Sequence, residues 1–123
     1  MLNKFLGLTC VALMLAGCSS RPSSVVEDFY GAIEAGEQDA AISRLSPEVV
    51  NMLGESKLRS ALGNQTRQIA ECGGIADLQT ELTGDDFVQR GTVKITFAGP
   101  CEPKIEKVKL VKVDDEWKIG VEK

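Results

Sequence analysis

The spacing of apolar residues changes halfway along the chain, at Gly73-Gly74. Before these glycines, apolar residues recur at the spacing of amphipathic helices. After them, apolar and polar residues alternate, as in strands with one solvated face. Because paired glycines also end a helix, we predict a helical half followed by a sheet half.

Start and stop signals divide the helical half into four segments. They are a helix from a Ser24–Glu27 capping box to Gly36, a short helix capped by Asp39, a third opening at Ser46-Pro47, and a longer one from Ser56 to about Glu71. Cys72, which follows the last segment, is predicted to face the core.

Four strands are predicted in the sheet half, at residues 75–82, 87–98, 105–113 and 117–121. In the first, Ala76, Leu78 and Leu82 are predicted to share the apolar face. Gly91 is expected to mark a bulge or bend in the second. Helices followed by a four-stranded antiparallel meander predict an α+β fold, with the helices on one face of a curled sheet.

An uncharged apolar run at residues 5–17 follows Lys4 and has the form of a secretory signal. It is shorter than the roughly 20 residues that a membrane span needs. The run ends in Leu15-Ala16-Gly17-Cys18, which resembles the lipobox of bacterial lipoproteins. The alternative is an ordinary secreted protein in which Cys18 is incidental.

The lipobox resemblance implies a domain organisation and a location. Residues 1–17 would be a signal peptide, 18–23 a tether lipidated on Cys18, and 24–123 the folded domain. The protein would then be lipid-anchored in the cell envelope. In a Gram-negative host, Ser19 after the cysteine goes with the outer membrane, facing the periplasm.

Cys72 and Cys101 remain as a pair once Cys10 leaves with the signal and Cys18 is acylated. In an oxidising compartment we expect them to form a disulfide. A metal site and a reactive thiol are the alternatives. Because the chain has no histidine, the usual zinc ligand set would need carboxylates. No metal and no cofactor is predicted.

Charge argues against nucleic acid as a partner, since 18 acidic residues outnumber 14 basic ones and the net charge is −4. The last hairpin is nevertheless locally basic, with Lys104, Lys107, Lys109, Lys112 and Lys118. We interpret these lysines as a solvated or edge-protecting face. Contact with anionic lipid headgroups or the cell wall is the alternative.

Two stretches of the mature chain, SSVVEDFYGAIEAGEQDAAISRL and VKLVKVDDEWKI, resemble the nuclear transport factor two-like superfamily. The resemblance is closest to its small bacterial lipoprotein members of unknown function. It implies a cone-shaped α+β fold over nearly all of the mature chain. The last turn reads Asp114-Asp115 where members often have Asp-Gly, which leaves its geometry open.

Enzymes of that superfamily commonly place an aspartate with a histidine, or a tyrosine with an aspartate, in the cone. Without histidine, Asp28 and Tyr30 are the nearest candidates, but two positions apart on a helix they point in different directions. Tyr30 is therefore expected to be a core residue whose hydroxyl has a partner. The carboxylates at 85–86 and 114–116 lack calcium-loop spacing and are ordinary in turns.

These observations predict a non-enzymatic, lipid-anchored domain with no catalytic residue. It would bind a small ligand in its cone or open sheet face, or assist an envelope protein, and touch the membrane through its N-terminal lipid. The alternative is a structural or interaction role in which the sheet face forms a homodimer or docks on an envelope complex. A small enzyme acting in the cone is the third hypothesis.

Overall fold

The computed structural model describes residues 21–121 and shows helices followed by a sheet. The helices are α1 (Pro22–Ala35), α2 (Gln38–Ser43), α3 (Pro47–Leu53) and α4 (Glu55–Glu71), and the strands are β1 (Ile75–Gly84), β2 (Val88–Phe97), β3 (Lys104–Val113) and β4 (Glu116–Ile119). The predicted α+β class is confirmed. The predicted signal peptide, Cys18 and the first part of the tether lie outside the described residues.

Helix α1 begins earlier than predicted, and the Ser24–Glu27 capping box is wrong. Arg21 is the N-cap residue and makes no side-chain cap, while Pro22 occupies the first helical turn. Proline is pre-organised for that position because its φ is already helical and its missing N–H is not needed there. Ser24 therefore lies inside the helix, with its N–H bonded to the Arg21 carbonyl at 3.0 Å.

Of the caps predicted for the next two helices, the one at Asp39 is wrong and the one at Ser46 is confirmed. Helix α2 starts at Gln38 with Glu37 as an N-cap residue that makes no side-chain cap, so Asp39 lies inside the first turn. There its carboxylate pairs with the Arg59 guanidinium at 2.6 Å. Helix α3 is capped as predicted, since the Ser46 hydroxyl accepts a hydrogen bond from the Val49 N–H. None of the helices in the described part of the chain is long and apolar enough to cross a membrane.

The strands form one antiparallel sheet in the order β1-β2-β3-β4, which is the predicted meander. The bulge lies in β1 rather than at Gly91. Ile75 pairs with Phe97 and Asp77 with Thr96, so Ala76 is the extra residue. Ala76 is exposed, not on the apolar face as predicted, because the extra residue shifts the alternation by one position.

Gly91 lies in unbroken register between Leu82 on β1 and Val108 on β3. Glycine at this position allows the backbones of β1 and β2 to approach closely. A Cβ atom at this position would lie 1.7 Å from the Glu81 carbonyl oxygen. Glycine in a strand is expected where another backbone comes this near.

The β3–β4 turn takes the geometry that an Asp-Gly sequence would take. Asp114 and Asp115 have φ values of 51° and 65°, and Val113 pairs with Glu116 across them. Two consecutive left-handed residues define the primed turn that matches strand twist. Aspartate tolerates this region better than most residues, so the substitution leaves the hairpin intact.

The core lies between the helices and one face of the sheet, which we call the inner face; the opposite face is the outer face. Val25 and Val26 of α1 are fully buried against it. Buried residues of the sheet share this cluster: Val93, Ile95, Val108, Leu110 and Trp117. A second cluster joins α1 to the other helices. The helices therefore cover the inner face.

Cys72 and Cys101 connect the end of α4 to the β2–β3 connection. Their Cα atoms are 5.3 Å apart and the pair has disulfide geometry, so the predicted pairing agrees with the structure. Beside them, the Gly99 N–H donates to the Cys72 carbonyl at 2.8 Å. The bridge ties the last helix to the sheet, which keeps the helical layer on the inner face.

Candidate functional site

In the part of the chain that the structure describes, apolar side chains of α1 and the sheet occupy much of the interior of the cone. At its mouth a cavity of about 30 Å³ remains. The lining residues are Gln65, Gln68, Ile69, Ile95, Phe97, Lys104 and Glu106. A cavity of this size has room for about two water molecules, so it is too small for an organic ligand.

Three polar side chains meet beside this cavity: Tyr30 of α1 with Lys104 and Glu106 of β3. Tyr30 is 8% exposed, and its hydroxyl donates to Oε1 of Glu106. The other oxygen of Glu106 lies 3.3 Å from Nζ of Lys104. The three groups therefore satisfy one another.

Burial raises the pKa of Tyr30 well above its ordinary value, and the hydrogen bond to Glu106 and the charge of that carboxylate add to the rise. All three effects disfavour a negative charge on the Tyr30 oxygen. Tyr30 is consequently a hydrogen-bond donor and not a base near neutral pH. The Tyr30 hydroxyl can therefore hold the Glu106 carboxylate in place, but it cannot remove a proton from a substrate.

The raised pKa predicts how stability depends on pH. Above about pH 10 the unfolded chain loses the phenolic proton while the folded chain keeps it, so stability falls by about 1.4 kcal/mol per pH unit. Tyr30→Phe should lack this component and show a shallower decline in urea unfolding between pH 9 and 11. Tyr30 is the only tyrosine, so tyrosinate absorbance should appear with unfolding. Tyrosinate in the folded protein with an ordinary midpoint would contradict the prediction.

Sequence reasoning placed Tyr30 in the core but did not find its partner, Glu106. The available signal was the position of Glu106 in β3, two residues before Val108 on the inner face. A carboxylate on the inner face of a strand needs a hydrogen-bond donor, and the Tyr30 hydroxyl is that donor. Asp28 is not part of the site: it is exposed and pairs with Arg44 at 3.4 Å.

The turn aspartates have structural roles. Oδ1 of Asp85 accepts hydrogen bonds from the N–H groups of Phe87 and Val88 at 2.8 and 2.9 Å. These bonds, first that from Val88, lower the pKa of Asp85 because they stabilise its charged form. Within residues 21–121 no cluster of three or more potential metal-ligating side chains is present.

The structure separates the five lysines of the last hairpin. Lys104 pairs with Glu106, the ammonium of Lys112 lies 5.1 Å from the centre of the Trp117 ring, and Lys118 pairs with Glu116. Lys107 and Lys109 lie on the outer face instead. Three of the five lysines therefore make local contacts, and Lys107 and Lys109 contribute positive charge to the outer face.

Strand β2 adds two more cations to that surface. We call Arg90, Lys94, Lys107 and Lys109 the outer cationic strip. Arg90 lies directly opposite Lys109 across the β2–β3 ladder. None of the four takes part in an ion pair among the described residues. Asp77 and Glu81 of β1 lie on the same face, beside Thr96 and Thr92. Like charges directly opposite each other destabilise a sheet, so the pairing of Arg90 with Lys109 in an acidic protein requires an explanation.

A larger depression lies where α1 begins, between this helix and the inner face of the sheet, with a volume of about 280 Å³. Its lining residues are Arg21, Pro22, Ser23, Thr80, Leu82 and Gln89. Gln89 pairs with Gly84 next to the β1–β2 turn. The start of α1 is therefore at the end of the sheet that carries this turn.

Comparison with known proteins agrees with the fold. No protein-family model matches the chain, and no curated protein sequence matches it. Among solved structures, one similar chain is a Campylobacter jejuni protein provisionally named an NTF2-like (nuclear transport factor two-like) transpeptidase. The TM-score is 0.72 at 17% identity, covering 84% of this chain and 100% of that chain. At this identity the likeness shows the fold alone, and it confirms the expected cone.

Proposed function

We propose that this protein is a lipid-anchored lipoprotein of the bacterial envelope whose NTF2-like domain binds or assists another component without catalysing a reaction. The lipobox at residues 15–18 supports the anchor. The domain starts soon afterwards, since α1 begins at Pro22. Such a short connection would keep the domain beside the membrane.

The observation that carries the non-enzymatic part is the small cavity beside the hydrogen-bonded pair Tyr30 and Glu106. Ligand sites that enclose a small organic molecule usually have several hundred Å³ of space. The cavity at the mouth measures about 30 Å³, and the polar groups beside it are engaged with one another. Binding at a surface is therefore favoured over chemistry in the interior.

The acid–base groups support the same proposal. The chain has no histidine. The raised pKa of Tyr30 keeps its hydroxyl protonated, and Glu106 accepts a hydrogen bond from that hydroxyl. A general base would need a free lone pair directed at a substrate. The Campylobacter jejuni protein carries an enzyme's name, so turnover of a peptide substrate by the purified mature chain would overturn the non-enzymatic part.

A second candidate function is docking of the sheet on another envelope protein or on a second copy. The unpaired outer cationic strip favours a surface role of this general kind. Two identical strips would repel each other, so a homodimer through this face is the weaker form of the proposal.

The anchor can be tested with Cys18→Ser and a matched control, Cys10→Ser, which changes a cysteine inside the predicted signal. Wild type and Cys10→Ser should incorporate labelled palmitate and sediment with membranes. Cys18→Ser should lose the label, remain unprocessed as a lipoprotein and leave the membrane fraction. Unchanged membrane association and labelling of Cys18→Ser would refute the anchor.

A further inference from the structure

The position of the tether determines which part of the domain is nearest the bilayer. Arg21 lines the same depression as Gln89, at the end of the sheet that carries the β1–β2 turn. Cys18 is three residues before Arg21, and three extended residues span at most about 11 Å. If Cys18 carries lipid, this end of the sheet is held close to the headgroups.

The outer cationic strip continues from the same end of the sheet. Val88 pairs with Val111 first, and then Arg90 with Lys109, Thr92 with Lys107 and Lys94 with Ile105. Ile105 is 67% exposed. Apolar groups interspersed with basic ones are typical of surfaces that lie on anionic membranes. Lipid phosphates would also relieve the repulsion between Arg90 and Lys109.

We propose that the outer face of the sheet lies against the anionic headgroups of the membrane that holds Cys18. The proposal rests on the lipid anchor proposed above. It adds the face that meets the bilayer and the class of lipid that this face prefers.

The charges at the tethered end select this orientation. Asp86, Asp114 and Asp115 are exposed on the two turns there. They would repel an anionic surface that approached the tips end-on. An approach through the outer face instead brings the four cations of the strip to the phosphates, and they outnumber Asp77 and Glu81 of β1 on the same face. Each cation strengthens attraction to an anionic leaflet by about fivefold.

The test uses the mature lipidated protein, reconstituted at low density into vesicles of phosphatidylcholine alone or mixed with phosphatidylglycerol. A water-soluble amine reagent then labels exposed lysines, which are quantified by mass spectrometry. In the mixed vesicles, labelling of Lys94, Lys107 and Lys109 should fall by about fivefold relative to phosphatidylcholine, since each cation should be held by about that factor. Lys57, exposed on α4, should be labelled equally in both. High salt should restore labelling.

A charge-reversal variant separates docking from folding. Arg90→Glu with Lys94→Glu should abolish protection of Lys107 and Lys109. The carboxylate introduced at position 90 would oppose Lys109, so the fold should be at least as stable as wild type. Lys57→Glu with Arg67→Glu makes the same change in charge at exposed positions of α4. This control should leave protection unchanged.

Three results would overturn the inference. Equal labelling in the two kinds of vesicle, while the protein floats with both, would refute docking alone and leave the anchor intact. Protection that increases with the density of protein on the vesicle would assign the face to a second copy. Failure of the wild-type protein to float with vesicles would refute the anchor and the docking together.

Discussion

Gly91→Ala should destabilise the protein by about 3 kcal/mol or more, because a new Cβ cannot be accommodated without separating two strands. The ideal Cβ position is 1.7 Å from the Glu81 carbonyl oxygen and 3.0 Å from the Leu82 Cα. Both are backbone atoms, so no side chain can rotate away. A loss of this size is a large fraction of the stability of a small domain. The midpoint of urea unfolding measures it.

Gly31→Ala is the matched control, because the same methyl group is added in open space. Apart from the backbone of its own helix and its chain neighbours, no described atom lies within 4 Å of a Cβ built at Gly31, which is an exposed position of α1. Alanine in an exposed helix is favoured over glycine by about 0.5–1 kcal/mol, so this variant should be more stable than wild type. Similar stability losses in both variants would contradict the close-approach argument.

Removal of the disulfide is expected to have the other large effect. Cys72 and Cys101 are 29 positions apart. In the chain-entropy account a closed loop of that size contributes about 3.5 kcal/mol. The double variant Cys72→Ala with Cys101→Ala should lose about this amount in urea unfolding, and it leaves no unpaired thiol between the two elements.

The reductant provides the control for this variant. Dithiothreitol should shift the unfolding midpoint of wild type towards that of the double variant and leave the double variant unchanged. Denatured, non-reduced mature protein should not react with a thiol reagent at Cys72 or Cys101. Labelling of either residue would show that the bridge does not form in the protein as made.

The order of helices and strands was predictable because it depends on the local spacing of apolar and polar residues. The change of period at Gly73-Gly74 predicted helices and then strands, and the four strands lie where the alternation placed them. The Ser46 cap of α3 was predictable for the same reason, since the hydroxyl and the N–H that it bonds are three residues apart. Interactions over one turn need no knowledge of the tertiary fold.

Errors arose where a distant residue decided a local feature. Asp39 was expected to cap α2, but it lies inside the first turn, where Arg59 on another helix binds its carboxylate. Gly91 was expected to mark a bulge, but its role is set by the Glu81 backbone on the neighbouring strand. A single sequence holds no record of which strands approach this closely, so neither outcome could be read from it.

The sequence by itself determined the α+β class, the switch from helices to strands, the cysteine pair and a core position for Tyr30, since each depends on residue type and local spacing. Only the tertiary structure decided that Glu106 meets Tyr30, that the cavity beside this pair is small, and that Arg90 faces Lys109. These contacts join residues from different elements. Sheet register and helix packing set them, and both are consequences of the whole chain burying its apolar faces together.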